Sequence, residues 1–214
     1  MEVLDLKPVK GKQVFVYLIG KEDKKMVVNE RMMMKEVLNE TPFKFTTIDP
    51  SYDNLKTFRQ TSLAEMLNDH NLPCYEVDIP EYAQGYLEAE IAEKKERIAG
   101  LISEYENITD KTTFKAQNLK SWIDLVTDEV TEKEDFMTLK LRPQWIVKKI
   151  LDIVKIAASN EETVRVLHFT SKKLIPELKK QLEDLLVKTT VVEVLPLMNR
   201  IQRQVRTVSQ EIIS

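Results

Sequence analysis

Five short runs rich in β-branched and aromatic residues punctuate the chain: Gln13 to Ile19 (QVFVYLI), Phe43 to Ile48 (FKFTTI), Cys74 to Ile79 (CYEVDI), Thr163 to Phe169 (TVRVLHF) and Thr190 to Leu195 (TVVEVL). Each is bounded by polar or turn residues, the pattern of a strand. Between them the apolar positions recur at helical spacing. Asn29 to Asn39 carries Met32, Met33, Val37 and Leu38, and Ser62 to Asp69 carries Leu63, Met66 and Leu67. After the fourth run, Leu174, Ile175, Leu178, Leu182, Leu185 and Leu186 follow the i, i+3, i+4, i+7 rule. Strands alternating with helices predict an α/β fold: a five-stranded, mostly parallel, Rossmann-like sheet whose right-handed crossovers cover both faces. One alternative stays open. Read as a hairpin turning at Gly20 to Lys25, VFVYLIGKEDKKMVVNE leads to a ribonuclease-H-like mixed sheet with an N-terminal antiparallel pair.

The middle of the chain has a different texture. Residues 81–158 contain three helical patterns and no strand pattern. The first, about Glu81 to Tyr105, is charged on every face between Glu93 and Arg97, so at least one turn stands in solvent. The second, about Thr113 to Glu134, stripes Leu119, Trp122, Ile123, Val126 and Val130 along one side. The third, from Pro143 to Ala158, is apolar on most faces, the mark of a buried helix. The block reads as a three-helix insertion between strands three and four, or a helical layer on the sheet, within a single α/β domain of residues 1–195.

Residues 196–214 form the tail. Met198, Ile201, Val205, Val208 and Ile212 are spaced 3, 4, 3, 4, with Arg200, Arg203 and Arg206 off that seam. This predicts a C-terminal amphipathic helix, docked on its own domain, making a homodimer contact, or serving as a small nucleic-acid arm.

Composition narrows the function classes. Of 214 residues, 43% are hydrophobic and 31% charged, with a net charge of −3, which suits a folded chain and gives no bulk attraction to nucleic acid or membranes. One cysteine, Cys74, excludes an internal disulfide and a cysteine-cluster metal site. Two histidines, His70 and His168, leave little for a multi-histidine zinc centre. Only four glycines occur, none clustered, so the Rossmann dinucleotide fingerprint, the Walker phosphate loop and GxSxG are all missing. No run of 18 apolar residues predicts a transmembrane helix, and the N-terminus lacks a secretory pattern. The expectation is a soluble cytoplasmic protein.

Three constellations could carry chemistry. In HFTSKKLIP, a parallel fourth strand would bring Thr170, Ser171, Lys172 and Lys173 to the carboxyl edge of the sheet, where open α/β folds bind ligands. Pro176 puts the start of the next helix near Lys173. A helix N-terminus disfavours cations, so either an anion neutralises the two lysines with help from free backbone N–H groups, or their ammonium groups reach into water. TTIDPSYDN and YEVDIPEYA echo each other: Asp49 or Asp78 ends a strand, and proline and a tyrosine (Tyr52 or Tyr82) follow. Asp49 and Asp78, with Asp53, could hold Mg²⁺; turn initiation and helix capping are the competing roles. In LKLRPQWIVKK, Arg142 ahead of a helix start could clamp an anion, while Trp145 reads as core. The methionines of NERMMMKEV read as core or a soft contact surface, and Cys74 as a small core hydrophobe. His168, at a strand end, is either a structural histidine or the one imidazole placed to act as a base.

Two function classes follow. One is binding of an anionic or phosphorylated small molecule, a nucleotide or a nucleic-acid strand at the strand carboxyl ends, with or without Mg²⁺. The other is a non-catalytic subunit that contacts partners through the helical insertion and the tail.

Overall fold

The computed structural model describes residues 4, 6–21, 28–158 and 160–192, with side chains 21 and 28–33 left aside. The predicted tail helix and the pair Met32 and Met33 therefore lie outside the described residues or side chains. Among the described residues, no helix is long and apolar enough to cross a membrane.

The strands are β1 (Gln13–Lys21), β2 (Phe45–Ile48), β3 (Cys74–Glu76), β4 (Thr163–Ser171) and β5 (Lys188–Val192). They form one sheet in the order β3-β2-β4-β1-β5. Every pairing is parallel, so the fold is α/β and Rossmann-like. The hairpin alternative is not adopted: β1 runs on to Lys21, and the chain is helical from Val28 in α1 (Val28–Glu40).

The remaining helices are α2 (Leu55–Phe58), α3 (Ser62–Asp69), α4 (Glu81–Glu106), α5 (Phe114–Asp135), α6 (Arg142–Ala157) and α7 (Ile175–Asp184). The chain divides into two compact units. Among the described residues, one comprises 6–78 with 146–192, and the other comprises 4 with 79–145.

In the α/β unit, alternation along the strands sorts side chains to two faces. Val14, Val16 and Leu18 of β1, Phe45 of β2 and Val164 and Val166 of β4 pack with Ile146, Val147, Ile150, Leu151 and Val154 of α6 and with Leu178 and Leu182 of α7. On the other face, Ile19, Ile48, Leu167 and Phe169 meet Met34 and Leu38 of α1, Phe58 of α2 and Leu63, Met66 and Leu67 of α3. Burial on both faces is what a parallel sheet requires.

The connections explain which helix covers which face. β1 to β2 and β2 to β3 step toward one edge of the sheet; β3 to β4 and β4 to β5 step back toward the other. Right-handed crossovers in opposite directions must use opposite faces.

In the helical unit, α4 and α5 form an antiparallel hairpin. Its buried apolar set is thin: Leu87 and Ile91 on α4, Ala116, Val126 and Val130 on α5. Ion pairs between the helices supplement it: Lys94 with Glu129, Lys133 with Glu90, Lys95 with Glu134 at 2.7 Å and Lys115 with Glu104 at 2.9 Å. Such half-exposed pairs contribute about 0–1 kcal/mol each.

The sequence puts a break between the second and third helical patterns. Instead, a π-helical segment, Phe136–Leu141, carries α5 into α6. Pro143 lacks an N–H and crowds the carbonyl one turn back. A π turn just ahead of it is a known way to absorb such a residue without ending the helix.

Gly20 near the end of β1 is a close-approach position. A Cβ there would lie 2.5 Å from Ile175 Cδ1, 2.7 Å from Lys172 Cγ and 3.2 Å from Lys172 Cα. The loop after β4 therefore packs directly on the β1 backbone. We expect Gly20→Val to destabilise the protein by about 1–3 kcal/mol through overpacking, measured by urea unfolding, while Gly100→Ala, in open space on α4, leaves stability unchanged or slightly raised.

Candidate functional site at the carboxyl ends of β2 and β4

β2 and β4 are neighbours, with Ile48 opposite Phe169. The chain leaves β2 for the face covered by α2 and α3, and leaves β4 for the face covered by α7. Adjacent strands whose loops depart to opposite faces create a crevice beyond their carboxyl ends, the usual ligand position in open α/β sheets. The two loops here are 49–54 and 172–174, the second following the last strand residues Thr170 and Ser171.

Asp49 builds the first loop. Its Oδ1 accepts from Ser51 N–H at 2.7 Å, and its carbonyl accepts from Tyr52 N–H at 3.0 Å. This is the turn role anticipated for an Asp-Pro pair. Its own N–H extends the ladder to Phe169 O at 3.2 Å. The end of β4 is tied to this loop, because Ser171 N–H donates to Ser51 Oγ at 3.0 Å. The Ser51 hydroxyl also faces the Asp49 carboxylate, whose pKa it helps to lower.

Beneath these loops lies a polar cluster on the α6–α7 face. Thr47, Asp49, His168 and Thr170 are fully buried. Thr47 Oγ1 and His168 Nδ1 are 2.9 Å apart, and His168 Nε2 lies 3.4 Å from Asp49 Oδ2. Among the described residues, Asp49 Oδ2, His168 Nε2 and Thr170 Oγ1 make no hydrogen bond of ordinary geometry. Burial pushes the Asp49 carboxyl upward, but the His168 ring, Ser51 and Thr170 pull it down further, so its pKa sits below the usual carboxylate value. With Asp49 ionised, a proton belongs on His168 Nε2, and in the neutral ring Nδ1 then accepts from the Thr47 hydroxyl.

The order threonine, histidine, aspartate resembles a relay for nucleophilic catalysis. Its hydroxyl, however, is on a fully buried residue within β2. A substrate cannot reach Thr47, so the cluster positions the rim rather than attacking a ligand.

Lys172 and Lys173 are exposed, in the turn that precedes α7. The sequence sets the helix start near Lys173; the helix begins at Ile175, with Leu174 as its cap residue and Pro176 in the first turn. Both lysines thus stand outside the helix, and the acidic Glu177 takes the first-turn position that the helix dipole favours. The expected array of free amides is also reduced. Leu174 N–H donates to Ser171 O and Ile175 N–H to Lys172 O, and Pro176 has no N–H.

The other predicted residues are placed differently. Asp78 follows β3 and is half-buried; the cap position of α4 is Pro80, with no side-chain cap bond. Asp53 accepts from Asn54 N–H at 2.9 Å, and Asn54 in turn caps α2. Among the described residues, no three His, Cys, Asp or Glu side chains gather as a metal-holding group, so Asp49, Asp53 and Asp78 do not form one. The tyrosines of the two echoing segments also part company. Tyr52 is 4% exposed and packs against Phe58 and Phe169, whereas Tyr82 is 77% exposed on α4. Arg142 is the first residue of α6 but continues the π-helical segment, so no free helix start lies beside it; it belongs to the helical unit. Cys74 is half-buried on β3, and burial raises its thiol pKa, which leaves it protonated and weakly nucleophilic.

Sequence reasoning missed Thr47, Ser51 and Gly20. Thr47 was legible in principle, because strict alternation puts it on the face of Phe45. No family model, no curated protein and no solved structure matches this chain.

Asp49→Ala removes the charge facing His168 and the acceptor for Ser51 N–H. We expect a loss of about 3 kcal/mol or more, as for breaking a buried pair. The folded pKa of Asp49 is depressed, so its stabilisation is complete above the unfolded value of about 3.9 and is lost as pH falls through the lower folded value. Urea unfolding from pH 7 to pH 3 should therefore show the gap between wild type and variant narrowing below about pH 4.

Proposed function

We propose that the crevice beyond β2 and β4 binds an anionic, phosphate-bearing small molecule such as a nucleotide. The observation that carries this reading is the switch point itself. Two loops leave adjacent strands for opposite faces, the first held to the end of β4 by Ser171 N–H on Ser51 Oγ, with Lys172 and Lys173 exposed just beyond it. In this reading the Ser51 and Ser171 hydroxyls and the two ammonium groups meet the phosphate oxygens. Backbone amides contribute little, since those at the start of α7 are already bonded. Asp49 is not a ligand of the anion. Its charge is offset by His168, Ser51 and Thr170, and it holds the first loop in place. Mg²⁺, where the ligand needs it, travels with the phosphates, because the three aspartates form no cluster.

A thermal-shift panel of inorganic phosphate, pyrophosphate, nucleoside mono-, di- and triphosphates and sugar phosphates, each with and without Mg²⁺, tests the proposal. A ligand at 100 times its dissociation constant should stabilise the fold by about 2.7 kcal/mol. Lys172→Met/Lys173→Met keeps the aliphatic stems and removes both charges. It should weaken binding by about 10-fold or more, at about 1.5–3 kcal/mol for a hydrogen bond to a charged group. Lys180→Ala, an exposed lysine further along α7, should change nothing. Failure of every anion to shift the melting temperature, or a shift that survives in the double variant, overturns the reading.

A further inference from the structure

The α4–α5 hairpin carries an apolar surface that its own two helices do not cover. On α5, Phe114, Trp122 and Leu125 are 78%, 51% and 57% exposed. With Asn118 they recur at positions i, i+4, i+8 and i+11, so they share one side of the helix. Phe114, Asn118 and Trp122 line an open groove of about 500 Å³ whose α4 wall includes Leu101 and Glu104. Three large apolar side chains this exposed on one stripe are unlike the scattered single residues of an ordinary surface.

Charge indicates what covers it. Between Glu81 and Asp135 the hairpin holds fourteen Asp and Glu against seven Lys and Arg. Asp124 and Asp128 run along one flank of the stripe and Glu132 continues its line, all three exposed. Two such hairpins would repel each other, which argues against a second copy docking face to face. One cation is already in place: the Arg97 guanidinium lies 5.1 Å from the Trp122 ring centroid, so this ring accepts that kind of neighbour. The stripe from Phe114 to Leu125 spans about 16 Å, three helical turns. That is the footprint of a helix laid in a groove, anchored by apolar residues at i, i+3, i+4 and i+7.

We propose that this groove docks an amphipathic helix of a partner protein, with arginines and lysines flanking its apolar stripe. The apolar face fills the space between Leu101, Phe114 and Trp122, and the flanking cations meet the carboxylates of α5. This interaction surface is independent of the crevice beyond β2 and β4 and stands or falls separately.

The test uses the full chain and three fluorescein-labelled peptides of about 18 residues, or five turns. One has leucines at heptad a and d positions and arginines beside them. The second replaces those arginines by glutamates. The third is residues 197–214 of this chain. The basic peptide should bind, more weakly as salt rises, and Trp122→Ala and Phe114→Ala should each weaken it about tenfold or more. Both side chains are exposed, and an unchanged far-UV circular dichroism spectrum verifies that the variants are folded. The proposal is overturned by no binding, by equal binding of the acidic peptide, or by indifference to both variants. It is also overturned if peptide 197–214 outcompetes the designed one, or if sedimentation shows a dimer that Trp122→Ala dissolves; either result assigns the groove to this chain's own copies.

Discussion

Strand β4 is hydrogen-bonded on both sides, and most of the α/β unit depends on those two ladders. It pairs with β1 over the nine positions from Gln13 opposite Thr163 to Lys21 opposite Ser171, and with β2 over the four from Phe45 to Ile48. Its side chains go alternately to the two cores: Val164 and Val166 to one, Leu167 and Phe169 to the other. A slip of one residue would exchange those faces and drive His168 and Thr170 into the apolar layer of α1 and α3. Register along β4 therefore determines both how α1, α2, α3, α6 and α7 pack on the sheet and the depth at which the polar cluster sits.

Much of this was legible from alternation and spacing, and the misses have physical causes. The third run reads as Cys74 to Ile79 because Val77 and Ile79 are apolar. Only Cys74–Glu76 is strand; Val77 is buried in the sheet core and Ile79 in the apolar cluster of the helical unit. Apolar character there reports packing, not pairing. At the other edge, β5 starts at Lys188, earlier than its β-branched run suggests. An edge strand needs only one ladder, here Phe15 to Ile19 of β1, and polar residues can supply it. Pro143 looked like a helix start, but one proline cannot distinguish a first turn from a π-helical detour in a longer helix.

The site was legible in part for a similar reason. Asp49 and the residues Thr170 to Lys173 share an edge because parallel strands end together, and parallelism followed from the alternation of strands and helices. Asp78 follows the edge strand β3, and no local sequence feature distinguishes it from Asp49, since both end an apolar run before a proline-containing turn. What separates them is register: Asp49 faces His168 across a ladder, a contact between residues more than a hundred positions apart in sequence. The role of Gly20 was hidden likewise, because its demand is set by the α7 loop packing on it.

The two lysines that the helix dipole would disfavour turn out not to be equivalent. Leu174 and Pro176 delay the helix to Ile175, which removes both cations from its first turn and with them most of the electrostatic penalty. Lys172 then has a duty of its own. Its backbone and the start of its side chain lie where a Cβ on Gly20 would have to go, so its stem covers the end of β1. A long aliphatic stem explains the choice of residue there without any ligand. No such contact with Gly20 accounts for Lys173, exposed one position later. An anion reading of this lip therefore draws its force from Lys173 and the two serine hydroxyls, with Lys172 adding charge from a position that packing had already fixed.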